Sequence, residues 1–439
     1  MAGPVRTLGY TRRPIRAGHC MLSLHPARDR PARSAPAPRV GLAIAGGGPV
    51  GGMYELGALR ALDEALVGLD LTRLDCYVGV SSGAFLAAGL ANRMDTAEMC
   101  RIFITGDSDD VQFRPETFLR PALFEYARRA ARLPRLTLDW WRELLLSPRE
   151  ARWADLLARF GGLVPTGLFD NAEVERFLRD VFTRRGRSND FRELAAPLFV
   201  VAVDLDSGDA VRFGDAGWDD VPISKAVQAS AALPGLYPPV EIDGRHFVDG
   251  ALRRTMHASV VLERGIDLMI GINPLVPFNT VGERAQDPDR SLAAGGLPAV
   301  LSQTFRTLLQ SRMQVGLARY AQQYPDIDQL VFEPNAQDGE LFFTNAFSFA
   351  SRRRICELAY RNTRADLRAQ ADALCPVLAA HGVRLDEAVL ADPDRSILDG
   401  LAPPAHDTDT TARLKRALDD VDVLVAHRRT SRRAARQAE

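Results

Sequence analysis

Two strand-length apolar runs, each closing on a glycine-rich turn that opens a helix, follow one another between residues 39 and 91. The first, Arg39-Val40-Gly41-Leu42-Ala43-Ile44-Ala45, leads into Gly46-Gly47-Gly48-Pro49-Val50-Gly51-Gly52, after which Met53, Leu56, Leu59, Leu62 and Leu66 recur at helical spacing. The second, Asp75-Cys76-Tyr77-Val78-Gly79-Val80, leads into Ser81-Ser82-Gly83 and a small-residue helix from Ala84 to Ala91. Strand, turn and helix in succession predict an α/β fold: a three-layer α/β/α sandwich with a mainly parallel central sheet.

Ser81 falls at the second strand-to-helix turn, flanked by Gly79 and Gly83. A sharp turn of this kind raises a hydroxyl into a cleft, and flanking glycines remove the Cβ clashes that would block it. The helix N-terminus beneath it favours developing negative charge. A plain Gly-Ser turn would have the same pentapeptide, so the strand–turn–helix setting carries the argument.

The earlier glycine loop points several N–H groups toward one place, which suits a phosphate or an oxyanion. A dinucleotide fingerprint would also need an acidic residue at the end of the next strand, but Asp70 and Asp75 precede or open that strand, which ends in the serine turn. No Lys-Ser or Lys-Thr follows the glycines, so a nucleoside-triphosphate loop is unsupported as well. An oxyanion hole built on Gly46, Gly47, Gly48 and Gly51 is the favoured reading.

A serine needs a base to take its proton. Seven histidines are present (His19, His25, His246, His257, His381, His406 and His427), none in a catalytic signature. The better candidate is Asp249, in Arg245-His246-Phe247-Val248-Asp249-Gly250-Ala251, where a short strand ends in a turn and small residues leave room around a carboxylate. In an open α/β sheet such a strand end faces the cleft that holds the serine. Asp243-Gly244 reads only as a turn.

In this order, the glycine loop from Gly46 to Gly51, the serine turn from Gly79 to Gly83 and Asp249-Gly250-Ala251 resemble the motifs of the patatin-like phospholipases. Two further blocks, from Pro197 to Gly208 and from Ala229 to Val240, are similar to stretches that precede the family's aspartate, and the resemblance covers about residues 39–275. It implies a Ser81–Asp249 dyad without a catalytic histidine and an oxyanion held by amides of the glycine loop; no cofactor is expected, and no metal, because no ligand cluster appears in the sequence. It also implies an acyl-lipid substrate, met at a membrane or lipid surface. The chain departs from the pattern at Val50, where many members carry Arg or Lys, which weakens the case for an anionic headgroup beside the scissile bond. Two rivals remain: a Ser-Asp-His α/β-hydrolase using His381, His406 or His427, and a non-catalytic lipid-binding scaffold.

The 439 residues divide into an Arg/Pro-rich arm at 1–38 read as disordered, a catalytic domain at 39–275 with a helical insert at about 110–185, a mainly helical extension at 276–425 and a basic tail at 426–439. Met21 is a candidate start of translation. In the insert, Leu119, Leu123, Tyr126, Ala130 and Leu133 share a helix face ahead of Trp140 and Trp141, and either a lid or a membrane-interface helix fits. Asp170 or Asn171 should cap the helix that follows, and in the extension helices are expected over about 297–323 and after Asn345, with a strand at 329–334. A net charge near −1 argues against a nucleic-acid partner. Cys20, Cys76, Cys100, Cys356 and Cys375 show no metal-ligand spacing and read as reduced thiols. No apolar run reaches membrane-spanning length and the first forty residues hold no apolar core of signal-peptide length, so a cytoplasmic location, peripheral at the inner membrane surface, is expected.

Overall fold

The computed structural model describes residues 22–28, 38–106, 166–184, 186–277, 292–334 and 349–401, with positions 113, 118, 120–122, 126 and 131 besides. Trp140 and Trp141, Leu119, Leu123, Ala130 and Leu133 of the insert, Cys20 and the basic tail lie outside these residues.

The first apolar run forms strand β2 (Val40–Ile44), preceded by β1 (Leu22–His25). Leu42 and Ile44 point to one face of the sheet and Ala43 and Ala45 to the other, and all four are fully buried. That is the pattern of a central strand covered on both sides. Helix α1 (Gly48–Ala65) begins inside the glycine run rather than after it, with Pro49 in its first turn, where a missing N–H costs nothing. Short β3 (Leu66–Val67) and then β4 (Cys76–Gly79) follow, and α2 (Ser82–Ala91) starts directly after Ser81, with α3 (Thr96–Cys100) behind it.

Beyond the insert come α4 (Ala172–Phe182), β5 (Leu198–Asp204), β6 (Ala210–Phe213), α5 (Ile223–Ser230), β7 (Val240–Ile242), β8 (Arg245–Asp249), α6 (Ser259–Leu262) and β9 (Leu268–Ile272). Asn171 stands at the N-cap of α4, but the cap oxygen is Asp170 Oδ1, which accepts the Ala172 N–H at 2.9 Å. Asp243 and Gly244, at φ 51° and 75°, join β7 to β8 in the two-residue hairpin turn that such φ values favour. The chain closes with α7 (Gly296–Gln323), β10 (Asp328–Phe332), α8 (Phe349–Ala369), α9 (Ala371–Ala379), β11 (Arg384–Leu385) and α10 (Glu387–Ala391).

The main sheet runs β1-β10-β9-β2-β4-β5-β8-β7, with β6 also on β5; β11 and β3 form a separate pair. The five strands from β10 to β5 are parallel, and β1, β6, β7 and β8 are antiparallel additions. One feature departs from the sequence reading. Within the arm expected to be disordered, Leu22–His25 forms an edge strand, because its backbone pairs with β10 and Leu22 is buried there. The strand expected at 329–334 forms as β10 and joins the main sheet parallel to β9.

Helices cover both faces. One face packs Ala43, Val78, Val80 and Val201 against Val260 and Val261 of α6 and Met313, Leu317 and Tyr320 of α7. On the other lies α1, itself covered by α8. At Gly57 the two helices approach so closely that a Cβ would fall 2.2 Å from the Cys356 carbonyl oxygen. Cys76, Cys100, Cys356 and Cys375 are all free thiols.

Register positions the site. Gly79 at the end of β4 lies opposite Val200, and Asp249 at the end of the antiparallel β8 lies opposite Ala202. The two strand ends therefore meet from opposite directions at neighbouring positions of β5.

Candidate active site

At the elbow, Ser81 adopts φ 51° and ψ −120°, a conformation that costs about 1–3 kcal/mol for a residue with a Cβ. Its surroundings hold it there. The Ser81 N–H donates to Ser230 Oγ at 2.8 Å, and Ser230 Oγ donates in turn to the Val201 carbonyl at 2.6 Å. Val80 N–H bonds the Ile44 carbonyl, and Ala84 N–H bonds the Ser81 carbonyl. Gly83 must be glycine for packing: a Cβ would sit 2.4 Å from the Ala45 carbonyl oxygen.

Asp249 meets this elbow from β8. Its N–H bonds the Ala232 carbonyl at 3.0 Å, and its Oδ1 accepts the Ala251 N–H at 2.9 Å. Burial pushes the carboxyl pKa from 3.8 up to about 6, against the lowering effect of the Ala251 amide and the Ser81 side chain. Gly250 packs its Cα on β5, where a Cβ would lie 2.1 Å from the Val201 carbonyl oxygen.

The amides of the glycine loop are not equivalent. Gly46 N–H donates to the Thr255 carbonyl at 3.2 Å and Gly51 N–H to the Gly47 carbonyl at 3.1 Å. Gly47 N–H donates to Ser82 Oγ at 2.9 Å. Gly48, at φ 62°, and Ser82, the first residue of α2, line the cavity, and among the described residues their N–H groups have no acceptor. Ser82 Oγ also donates to Glu55 Oε1 at 3.0 Å. Glu55 is fully buried in α1, and burial raises its pKa well above the ordinary carboxyl value.

Ser81, Asp249, Gly48 and Ser82 open on one cavity of about 600 Å³, whose walls include Phe85, Leu86, Phe103, Phe118, Leu236 and Leu309. An apolar chamber with a few convergent polar groups is the usual form of a site for an apolar ligand. Arg306 and Arg352 also reach it. Burial pulls the Arg306 guanidinium down to about 10, so it stays protonated at neutral pH. Arg352 donates to the Phe103 carbonyl at 2.9 Å. The cationic side chains of the cavity thus come from α7 and α8, not from the Val50 position of the loop.

No histidine among the described residues lines the cavity. His381 Nε2 lies 2.7 Å from Asp328 Oδ2 at the start of β10, the opposite end of the parallel strands from the site. His257 is buried with its Nε2 3.3 Å from the Gly250 carbonyl, and burial lowers its pKa to about 3. His406 and His427 lie outside the described residues.

Sequence reasoning did not single out Ser230, Ser82, Glu55 or Arg306. The one signal in the chain was Glu55, an acid set among Met53, Leu56 and Leu59 in the apolar first half of its helix.

The family model for patatin-like phospholipases matches residues 42–262, and the chain belongs to this family. It is a hydrolase acting on the ester bonds of lipids. Among solved structures it is similar to VipD from Legionella pneumophila, at 16% identity over 84% of this chain and 71% of that one, with a TM-score of 0.35. Human GIVD cytosolic phospholipase A2, in complex with methyl gamma-linolenyl fluorophosphonate, matches at 14% identity over 81% of this chain and 61% of its own, with a TM-score of 0.32. ExoU of Pseudomonas aeruginosa, in complex with SpcU, matches at 17% identity over 87% and 70% of the two chains, with a TM-score of 0.23. At these values the likenesses carry no site detail to this chain.

Proposed function

We propose that the protein cleaves acyl lipids through a Ser81–Asp249 dyad, without a histidine. The reading rests on the convergence of these two buried side chains on one apolar cavity, where Ser81 acts to lower the carboxyl pKa that burial raises. Ser81 Oγ attacks the acyl carbon as its proton passes to the Asp249 carboxylate. The Gly48 and Ser82 amides receive the oxyanion, each such donor being worth about 3–4 kcal/mol of barrier. Gly46, Gly47 and Gly51 shape the loop that aims them. When the tetrahedral intermediate collapses, the leaving alcohol takes the proton from Asp249 and the acyl group stays on Ser81. Asp249 then deprotonates a water that attacks the acyl-serine, and as this second intermediate collapses the proton passes from Asp249 to Ser81 Oγ and the fatty acid leaves.

The apolar walls suit the acyl chain. Arg306, cationic and facing the same cavity, supports a phospholipid over a neutral acylglycerol as substrate.

The test is covalent labelling of the wild type and Ser81→Ala with a fluorophosphonate probe, followed by peptide mapping. Labelling at Ser81 and nowhere in the variant is the expected result. A folded wild type that stays unlabelled in the presence of lipid would leave a scaffold rather than an enzyme.

A further inference from the structure

Helix α7 carries two apolar faces. At about 100° per residue, Met313, Leu317 and Tyr320 fall on one side, where they are buried in the core. Leu301, Phe305, Leu308 and Val315 fall on the other, within an arc of about 80°. All four are exposed, Leu308 at 58% and Val315 at 69%. A helix that packs on a core by one face ordinarily turns polar residues outward; this one sets four large apolar side chains among them.

The outward stripe is continuous with the catalytic cavity, because Leu301 and Phe305 belong to both. Leu168 and Leu233, two further exposed leucines, also line that cavity. The charge of the helix has one sign: its 28 residues include Arg306, Arg312 and Arg319 and no acid. Arg312 and Arg319 fall in the same arc as the stripe.

From this continuity and charge, we propose that the α7 stripe and the exposed leucines of the cavity seat the protein on an anionic lipid surface. The proposal rests on the reading of the Ser81 cavity as the acyl site. An acyl chain drawn through water loses the favourable burial of every methylene, whereas a mouth pressed into the lipid receives the chain without that loss. The apolar side chains enter the acyl layer while Arg319 stays at headgroup level, the arrangement of an interfacial helix, and Arg312, whose guanidinium donates to the Leu252 and Arg253 carbonyls, adds its charge beside the stripe.

The test separates docking from catalysis. In a Ser81→Ala background, partition onto equimolar phosphatidylcholine–phosphatidylglycerol vesicles is measured by sedimentation. The paired substitution Leu308→Asp and Val315→Asp should lower the partition coefficient by roughly tenfold or more. Gln314→Asp with Ala318→Asp, the same added charge on the flank of α7, should lower it by less than roughly twofold. With Ser81 intact, the stripe variant should turn over soluble p-nitrophenyl butyrate at the wild-type rate, which shows that it is folded. Equal partition of the stripe variant and the wild type would overturn the proposal, as would a wild type that does not partition. So would light scattering that shows the stripe substitutions splitting a dimer, since the covering surface is then a second copy. If no form turns over the soluble ester, the dyad reading fails by itself, and thermal melts with the partition measurement still decide the docking face.

Discussion

Ser81 and Asp249 line the same cavity while remaining only 5% and 3% exposed. Burial raises the carboxyl pKa from 3.8 to about 6. An ordinary aspartate is a weak base toward a serine hydroxyl. One held near 6 is still mostly ionised at neutral pH, yet it accepts a proton more readily, which is how buried carboxylates come to serve as general bases.

The pH dependence of kcat/KM follows. In the proposed dyad only ionised Asp249 can take the Ser81 proton, so activity on a soluble ester should fall as pH drops through about 6 and be level above it. Ser81→Ala and Asp249→Asn should each lower kcat by roughly a thousandfold or more. An acid limb near 4, or full activity in Asp249→Asn, would remove Asp249 from the role of base.

The same shift works against stability at neutral pH. Since the folded-state pKa lies above the unfolded one, the stability contribution of Asp249 is intact below about pH 4 and is lost as pH rises through about 6. Asp249→Asn escapes that loss. It should therefore be more stable than the wild type at pH 8, by about 1–3 kcal/mol, with the gain shrinking toward pH 4. Urea denaturation at the two pH values measures it, and a gain equal at both would mean that the charge is not its cause.

Much of this site was legible in the chain because its signals are local. Gly79 and Gly83 mark a turn that tolerates no Cβ, and Asp243-Gly244 closes the hairpin whose second strand ends in Asp249. What was not legible depends on partners distant in sequence. Which loop amides remain free to meet an oxyanion is decided by the Thr255 carbonyl and the Ser82 hydroxyl, and no pattern within residues 46–51 contains that information. Likewise Leu22–His25 lacks the length or hydropathy of a core strand and acquires its structure from β10. Arg306 reaches the cavity only because α7 packs across the sheet.

Ser230 shows what holding the elbow costs. Ser230→Ala deprives the buried Ser81 N–H of its acceptor and the Val201 carbonyl of a donor, at a loss of about 1–3 kcal/mol in stability. With that tether gone, the positive φ of Ser81 is less firmly held, and kcat should fall by roughly 10–100-fold while KM moves little. Steady-state kinetics on a soluble ester, beside a urea melt, would show both. A KM effect with kcat intact would place Ser230 in substrate binding instead.

Glu55 bears on the other half of the site. Its Oε1 accepts from Ser82 Oγ, which accepts from Gly47 N–H, so one buried carboxyl spans the gap between the glycine loop and the start of α2. The two amides proposed to receive the oxyanion, those of Gly48 and Ser82, belong to these two segments, and their spacing is set by this chain of hydrogen bonds. Burial favours the neutral acid. Glu55→Gln is then a near-isostere of the working form and should keep kcat within roughly threefold of the wild type, with the acid limb near 6 unmoved. Glu55→Leu leaves the Ser82 hydroxyl without its acceptor and the loop without its tie, and kcat should fall by roughly 10–100-fold at similar KM. Fluorophosphonate labelling rates should follow the same order, since the phosphonyl oxygen occupies the oxyanion position. If Glu55→Gln were as damaged as Glu55→Leu while its thermal melt stayed at the wild-type temperature, the ionised carboxylate would be the working species, and the role of Glu55 would be electrostatic rather than positional.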